Sequence, residues 1–341
     1  MIQAVMTSPG KIEFREIPVP EIGDNEVLIK IMRIGICGSD IHVYHGTHPY
    51  TGYPVVQGHE VSGQIVKLGS NVTGLKVGDA VTVQPQVYCG RCYPCTHGRY
   101  NICEELKVMG FQTTGMASEY FAVDSKKVLR LPDGISYDEG AMVEPLAVAV
   151  HALRRSSDIN GKKVLVLGAG PIGNLVAQSA KGMGAEKVMI TDLSDYRLGI
   201  AEKCGIDFCV NPDKKDLREA LIENFGPDRA DLILECVGVN STIEQAINCA
   251  RKGTDIIVVG VFGQKVNVDM GLVQDRELRL IGTLMYMEED YIKAIEMIQQ
   301  KKVSLKPLIT NHFPFKEYLK AYEYIEKQRD HAMKVMIDVH E

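Results

Sequence analysis

The chain has no basic block. Its 38 Lys and Arg are interspersed with 44 Asp and Glu, giving a net charge of −6. Nucleic acid or an anionic membrane as the main partner is thereby excluded, because phosphate binding needs clustered cations. No long apolar run is present either: the most apolar stretch, residues 164–177, is shorter than a bilayer span and contains Gly168, Gly170, Pro171 and Gly173. Residues 1–14 lack the basic-then-apolar pattern of a signal peptide, so a cytoplasmic location is expected. There is no internal repeat and no low-complexity segment. What is present is an ordinary globular composition, 45% hydrophobic and 24% charged. Its 341 residues exceed one small core, and two domains are expected. Nine cysteines, an odd count, read in a reducing compartment as thiols or metal ligands.

Two compositional regimes follow one another. Up to about residue 150, short β-branched runs (27–31, 61–67, 80–83, 119–123) alternate with Gly, Pro and Asp turns such as Leu131-Pro132-Asp133-Gly134. That pattern predicts a mostly antiparallel β domain. From about residue 162, apolar strands at 163–167, 187–191, 232–236, 256–260 and 278–282 alternate with helical segments such as 171–184 and 195–204. Such alternation predicts an α/β fold with a doubly wound parallel sheet covered on both faces. A helix over 290–301, an amphipathic stretch over 315–328 and an apolar strand over 333–339 complete the chain.

Gly168-Ala169-Gly170-Pro171-Ile172-Gly173 joins the first strand of the second regime to its helix. The first Gly permits the tight turn, the second admits a pyrophosphate, and the third lets helix and strand pack closely. The helix N-terminus adds free N–H groups and partial positive charge. Asp192 ends the next strand, where a carboxylate binds ribose hydroxyls and repels a 2′-phosphate, and no Arg follows at Leu193 or Ser194. NAD is therefore expected rather than NADP. Arg197 reads either as a solvated helix residue or as a neighbour of the adenosine.

Cys89, Cys92, Cys95 and Cys103 lie in one loop of about residues 86–105. Four soft thiolates so close suit tetrahedral zinc with no open position, a structural site, whereas close pairs are poorly placed for disulfides. Cys37, His59 and Glu144 are dispersed. Brought together they would give three ligands and an open fourth position, as a catalytic zinc needs. Singly, each also reads as a buried thiol, a turn histidine and a helix-capping acid. Cys204, Cys209, Cys236 and Cys249 read as small core residues.

Taken together, Gly58-His59-Glu60 with Gly63, Gly69 and Val72, the four-cysteine loop and the Gly168–Gly173 turn resemble the zinc-containing medium-chain dehydrogenase/reductase superfamily over essentially the whole chain. The segments 35–42 and 144–151 are most similar to its sorbitol (polyol) dehydrogenase branch. The resemblance implies a GroES-like, mostly β catalytic domain (residues 1–149), a Rossmann NAD-binding domain (150–283) and a return to the first (284–341). It implies two zinc ions per subunit. The catalytic zinc would be held by Cys37, His59 and Glu144, with Glu60 either a ligand or the group holding a water beside the metal. The metal would act as a Lewis acid on the alcohol, with Ser39 accepting its proton and His42 passing it on, while hydride goes to the cofactor. Besides the Gly turn, Asp192 and Arg197, cofactor contacts are expected at Gly260, Val261, Phe262, Leu284 and Met285, and substrate contacts at Tyr44, Glu144 and Tyr286. Polyol dehydrogenases carry a substrate Arg where this chain has Met285, which removes a hydrogen-bonding fork. The expected reaction is thus oxidation of a secondary alcohol on a small polyol, sugar acid or sugar-derived molecule. L-threonine or vicinal-diol oxidation is an alternative within the superfamily, and a non-catalytic NAD-binding protein on the same fold is another. The family also implies a homo-oligomer, a dimer or a homotetramer.

Overall fold

The computed structural model describes residues 1–156 and 158–340. The chain divides into two compact units: Met1–Glu144 with Met287–Ile295 and Ile309–Glu341, and Pro145–Tyr286 with Glu296–Leu308. Among the described residues no helix is long and apolar enough to cross a membrane.

The first unit is built on a seven-stranded sheet. Its order is Ile309–Pro314, Lys334–Asp338, Glu26–Ile36, Glu60–Leu68, Ala80–Val83 and Val128–Arg130, with Tyr120–Asp124 also pairing on Glu26–Ile36. All pairs are antiparallel except that between Ile309–Pro314 and Lys334–Asp338. The expected β runs are all present, and an N-terminal hairpin, Ile2–Ser8 with Lys11–Glu16, joins them. The long strand Glu26–Ile36 organises the unit, because its Val and Ile side chains fit a pleated surface and Val27, Ile29, Ile31 and Ile34 are fully buried. Register at its far end matters for function. Gly35 pairs with Glu60 on one side and with Met336 on the other, and Val335 pairs with Ile36. Cys37, Glu60 and Lys334 are thus delivered to one end of one sheet.

The second unit carries a six-stranded sheet, every neighbouring pair parallel, in the order Phe208–Val210, Lys187–Thr191, Lys163–Leu167, Leu232–Glu235, Asp255–Val258, Arg279–Gly282. Val164, Leu165, Val166 and Leu167 are all buried, the continuous apolar run that a strand covered on both faces requires. Chain order reverses direction between Lys163–Leu167 and Leu232–Glu235, the switch point at which open parallel sheets bind ligands at their carboxyl ends. The helix after the Gly-rich turn, Pro171–Gly182, starts on a proline whose missing N–H costs nothing there. It stops short of the expected residue 184, because Gly184 adopts φ +97° and the Ala185 N–H closes back on the Ala180 carbonyl.

Candidate active site and metal centres

Cys37 follows the central strand and precedes the short helix Gly38–Tyr44, and its N–H donates to Asp40 Oδ2 at 2.9 Å. Next to it stand His59 and Glu60, whose ligating atoms lie with the Cys37 sulfur within 4.8 Å of one another. Both are buried. Glu144, in the first turn of the helix Val143–Arg154, is buried too but outside that tight group.

Two charged networks hold this cluster. His59 Nδ1 is 3.5 Å from Asp40 Oδ1. Asp40 Oδ1 in turn accepts from Gln57 Nε2 at 3.1 Å, and Gln57 Oε1 accepts from the Tyr322 hydroxyl at 2.7 Å. Carboxylates behind a ligating histidine fix its tautomer and orientation. Burial works against a charged His59, but the Asp40 carboxylate and Cys37 outweigh it, leaving the imidazole well above its ordinary value. On the other side, Lys334 Nζ donates to both Glu60 oxygens, at 2.8 and 2.6 Å, and to the Ile36 carbonyl at 3.2 Å. Burial opposes this ammonium as well. Glu60, with Cys37 and Glu144, outweighs burial and raises Lys334 above the usual lysine range. A Cβ on Gly35 would stand 2.3 Å from Glu60 Oε2, so the strand needs glycine there to admit the carboxylate.

Lys334 and Asp40 carry no role in the sequence reading. A lysine inside an otherwise apolar strand was the available signal for Lys334, and an acid three residues past Cys37 was the one for Asp40. Ser39 is half-buried and His42 exposed on the Gly38–Tyr44 helix, with His42 Nδ1 3.5 Å from Thr47 Oγ1. Tyr44, expected at the substrate, stacks on Tyr322 at 5.0 Å between ring centres. Tyr286 is completely buried, while neighbouring Leu284 is half-exposed and Met285 takes φ +53°, a left-handed conformation uncommon for a long side chain.

The four-cysteine loop forms the second candidate centre. Cys89, Cys92, Cys95 and Cys103 are unpaired by disulfides, and their ligand atoms lie within 4.8 Å of one another. Cys103 Sγ is 3.6 Å from Cys89 Sγ and 3.8 Å from Cys92 Sγ. Thiolates about 2.3 Å from a tetrahedral zinc are about 3.8 Å apart, so the donor set fits that ion. The N–H groups of Arg91 and Cys92 hold the Cys89 thiol down at about 6, whereas burial pushes Cys95 up to about 12. Elsewhere, burial raises Cys204 and Cys249 to about 11 and Cys209 to about 12, values of unreactive thiols. A further cluster, Asp138, His312 and Asp338, already holds a cation of the chain, since Arg33 Nε lies 3.0 Å from both aspartates.

In the second unit the Gly turn is tight for the reasons its sequence predicts. Gly168 has φ +98°, and a Cβ on Gly173 would stand 1.9 Å from the Gly168 carbonyl oxygen. Asp192 Oδ2 accepts from the Ala169 N–H at 2.8 Å, and Oδ1 accepts from the Ser194 N–H at 2.9 Å. The carboxylate therefore braces the turn as well as standing at its mouth. Arg197 Nη1 is 3.8 Å from Asp192 Oδ2. Gly170 opens the helix as its N-cap, Pro171 and Ile172 form its first turn with Gly173, and Gly260, Val261 and Phe262 follow the strand Asp255–Val258.

Residues 23–133 match the alcohol dehydrogenase GroES-like domain, and residues 171–300 match the zinc-binding dehydrogenase domain. The sorbitol dehydrogenase of Halalkalibacterium halodurans is 37% identical over 332 residues, 96% of each chain. Among solved structures, galactitol-1-phosphate dehydrogenase from Escherichia coli superposes with a TM-score of 0.91 at 30% identity, covering 99% of this chain and 100% of that one. An alcohol dehydrogenase from Escherichia coli CFT073, solved in complex with NADH, gives 0.91 and 30% over 99% of both chains. At this identity over nearly its whole length, the chain belongs to the zinc-containing medium-chain dehydrogenases, an oxidoreductase family, in the sorbitol dehydrogenase-like branch.

Proposed function

We propose that this protein oxidises a secondary alcohol of a small polyol, sugar acid or sugar-derived substrate to a ketone, with NAD as hydride acceptor. The observation that carries the reading is the convergence of Cys37, His59 and Glu60 within 4.8 Å, in a chain whose other unit has a Gly168–Gly173 turn braced by Asp192. A thiolate, an imidazole and a carboxylate suit zinc, which when bound supplies a Lewis acid that makes a substrate hydroxyl easier to deprotonate.

Cys37 and His59 are the ligands in this reading. Glu144 completes the set as a buried carboxylate, while Glu60, committed to Lys334 by two hydrogen bonds, stands behind the metal. Ser39 accepts the substrate proton and His42 passes it to water. Their spacing of three residues on one helix puts both on the same face. A second zinc, bound by Cys89, Cys92, Cys95 and Cys103, is structural. The carboxylate of Asp192 favours NAD over NADP by repelling a 2′-phosphate. Leu284, Met285, Val261 and Phe262 contact the cofactor and Tyr44 the substrate, whereas Tyr286, expected there too, is completely buried and does not reach it. Functional boundaries fall at residues 149 and 283. A cytoplasmic homodimer or homotetramer is the assembly that fits the family.

NADH formation from a panel of polyols, sugar acids, vicinal diols and L-threonine, before and after treatment with a zinc chelator, tests the proposal. Turnover on a polyol or sugar acid that disappears with the metal is expected. No turnover on any alcohol, with zinc only at the four cysteines, would leave a non-catalytic NAD-binding protein.

A further inference from the structure

The strand Leu232–Glu235 ends on a carboxylate that none of the roles above uses. Glu235 is 0% exposed and pairs in register with Leu167, the residue before the Gly turn. It therefore stands at the switch point of the sheet, where a dinucleotide enters. Its Oε1 accepts three hydrogen bonds, from the N–H groups of Val237 (2.9 Å) and Gly238 (2.8 Å) and the Thr242 hydroxyl (2.7 Å). Oε2 has no hydrogen-bond partner, and among the described residues no Lys, Arg or His pairs with the group. A buried carboxylate without a cation is costly. Holding the turn at residues 237–242 does not explain the whole group, because it uses Oε1 alone and leaves Oε2 without a partner.

Direction supplies the explanation. Oε2 is aimed at Gly260, where a Cβ would stand 2.6 Å away, and the Glu235 carbonyl accepts the N–H groups of Val259 and Gly260. The carboxylate thus faces the loop after Asp255–Val258. The Gly168 turn instead meets this segment through the Val237 side chain, 2.5 Å from where a Gly168 Cβ would be. The two halves of a dinucleotide differ in charge. Its pyrophosphate is anionic in both redox states and is matched by the N-terminus of the helix Pro171–Gly182. Its nicotinamide ring is cationic when oxidised and neutral when reduced. Val237, Val239 and Val261 are apolar and exposed around the strand ends beside Glu235, a surface suited to a ring rather than to phosphates.

We propose that Glu235 is a positioning residue whose buried, cation-free carboxylate biases the crevice toward the oxidised cofactor, whose positive ring it attracts, over the reduced one. The inference rests on the NAD reading above. It assigns Glu235 an electrostatic task in addition to holding the 237–242 turn, and it requires glycine at 260 so that nothing displaces Oε2.

The test is a pair of binding titrations on the full-length protein: NADH followed by its own emission, and NAD+ by displacement of NADH. The chain has no tryptophan, so nucleotide emission is read without an indole background. In Glu235→Gln, the dissociation constant for NADH should stay within about twofold while that for NAD+ rises about tenfold, the size expected for one charge lost at a partly screened distance. Both constants rising together, or neither moving, would overturn the inference and leave Glu235 a strut. Thr242→Val gives an independent check should the glutamine variant not fold. It removes one donor and keeps the charge, so the preference for NAD+ must stay at or above the wild-type level, and a fall would overturn the proposal. Wild-type protein that binds neither nucleotide removes the NAD reading itself, an outcome seen before any variant is made.

Discussion

Lys334 Nζ lies 2.8 and 2.6 Å from the two oxygens of Glu60, and neither residue is reached by solvent. A buried pair of this kind is fragile in one specific way. Removing one partner strands the other charge, whereas removing both leaves a neutral cavity. Lys334→Met should therefore lower the unfolding free energy of the first unit by about 3–5 kcal/mol. The double variant Lys334→Met/Glu60→Gln should recover much of that loss. Denaturant unfolding of the two variants decides it, and equal losses would mean that the pair is not coupled.

Acid should strip the metal of the proposed catalytic site before it harms the metal-free fold. His59 is held above its ordinary value by Asp40 and Cys37 against burial, so a proton competes for the ring over a wider pH range than for a free imidazole. Zinc needs the neutral ring, and apparent affinity must fall as pH falls. Stability runs the opposite way. A raised folded-state value contributes stability that is fully present below the unfolded value of about 6.5 and is lost as pH rises through the folded one. Competition with a chromophoric chelator, together with thermal unfolding of metal-free protein across this range, measures both slopes. Affinity independent of pH would refute the first.

Much of this was legible in the residues. Period-two runs and strand–helix alternation located the sheets, because local patterning is strongest where a face is wholly buried, as at Lys163–Leu167. The cysteines, with two residues between each of the first three, and the glycine spacing of the turn carry their chemistry within about fifteen positions of sequence. What the pattern could not carry was the pairing of distant segments. Lys334 meets Glu60 only because both flank the end of the Glu26–Ile36 strand, a consequence of register across three strands. The stack of Tyr44 on Tyr322 and the Tyr322–Gln57–Asp40 chain depend in the same way on the helix Tyr318–Gln328 packing within the first unit. The ends of helices were less readable than their starts, since Gly184 and its left-handed turn cut the helix Pro171–Gly182 before its apolar periodicity ran out.

The four-cysteine loop should lose its metal independently of the catalytic centre. Cys103→Ser removes a buried thiol of the proposed structural site, to which the N–H groups of Cys89 and Glu105 donate. Metal analysis should find one zinc ion fewer per chain, because three thiolates do not close a structural shell. The thermal midpoint should fall as well, and the zinc retained should still be removable by chelation together with activity. Loss of both metals at once would instead tie the two centres into one folding unit.

Asp192 has two jobs that different substitutions separate. Its Oδ2 holds the Ala169 N–H inside the Gly turn, and in the proposed NAD reading its negative charge repels a 2′-phosphate. Asp192→Asn keeps an acceptor for the turn and removes the charge. It should relax discrimination against NADP by about tenfold, with the KM for NAD raised only a fewfold, as the loss of one charge at a largely buried position beside Arg197 implies. Asp192→Ala removes the acceptor as well, so the Ala169 N–H loses its partner and the turn its brace. Here the KM for both cofactors should rise together on top of the relaxed preference, by about tenfold for one lost charge-assisted hydrogen bond. Steady-state kinetics with each cofactor at a saturating concentration of one active alcohol separate the two effects. If the asparagine variant kept the wild-type preference for NAD, the carboxylate would be a brace for the turn and the source of cofactor choice would lie elsewhere, with Arg197 the next residue to vary.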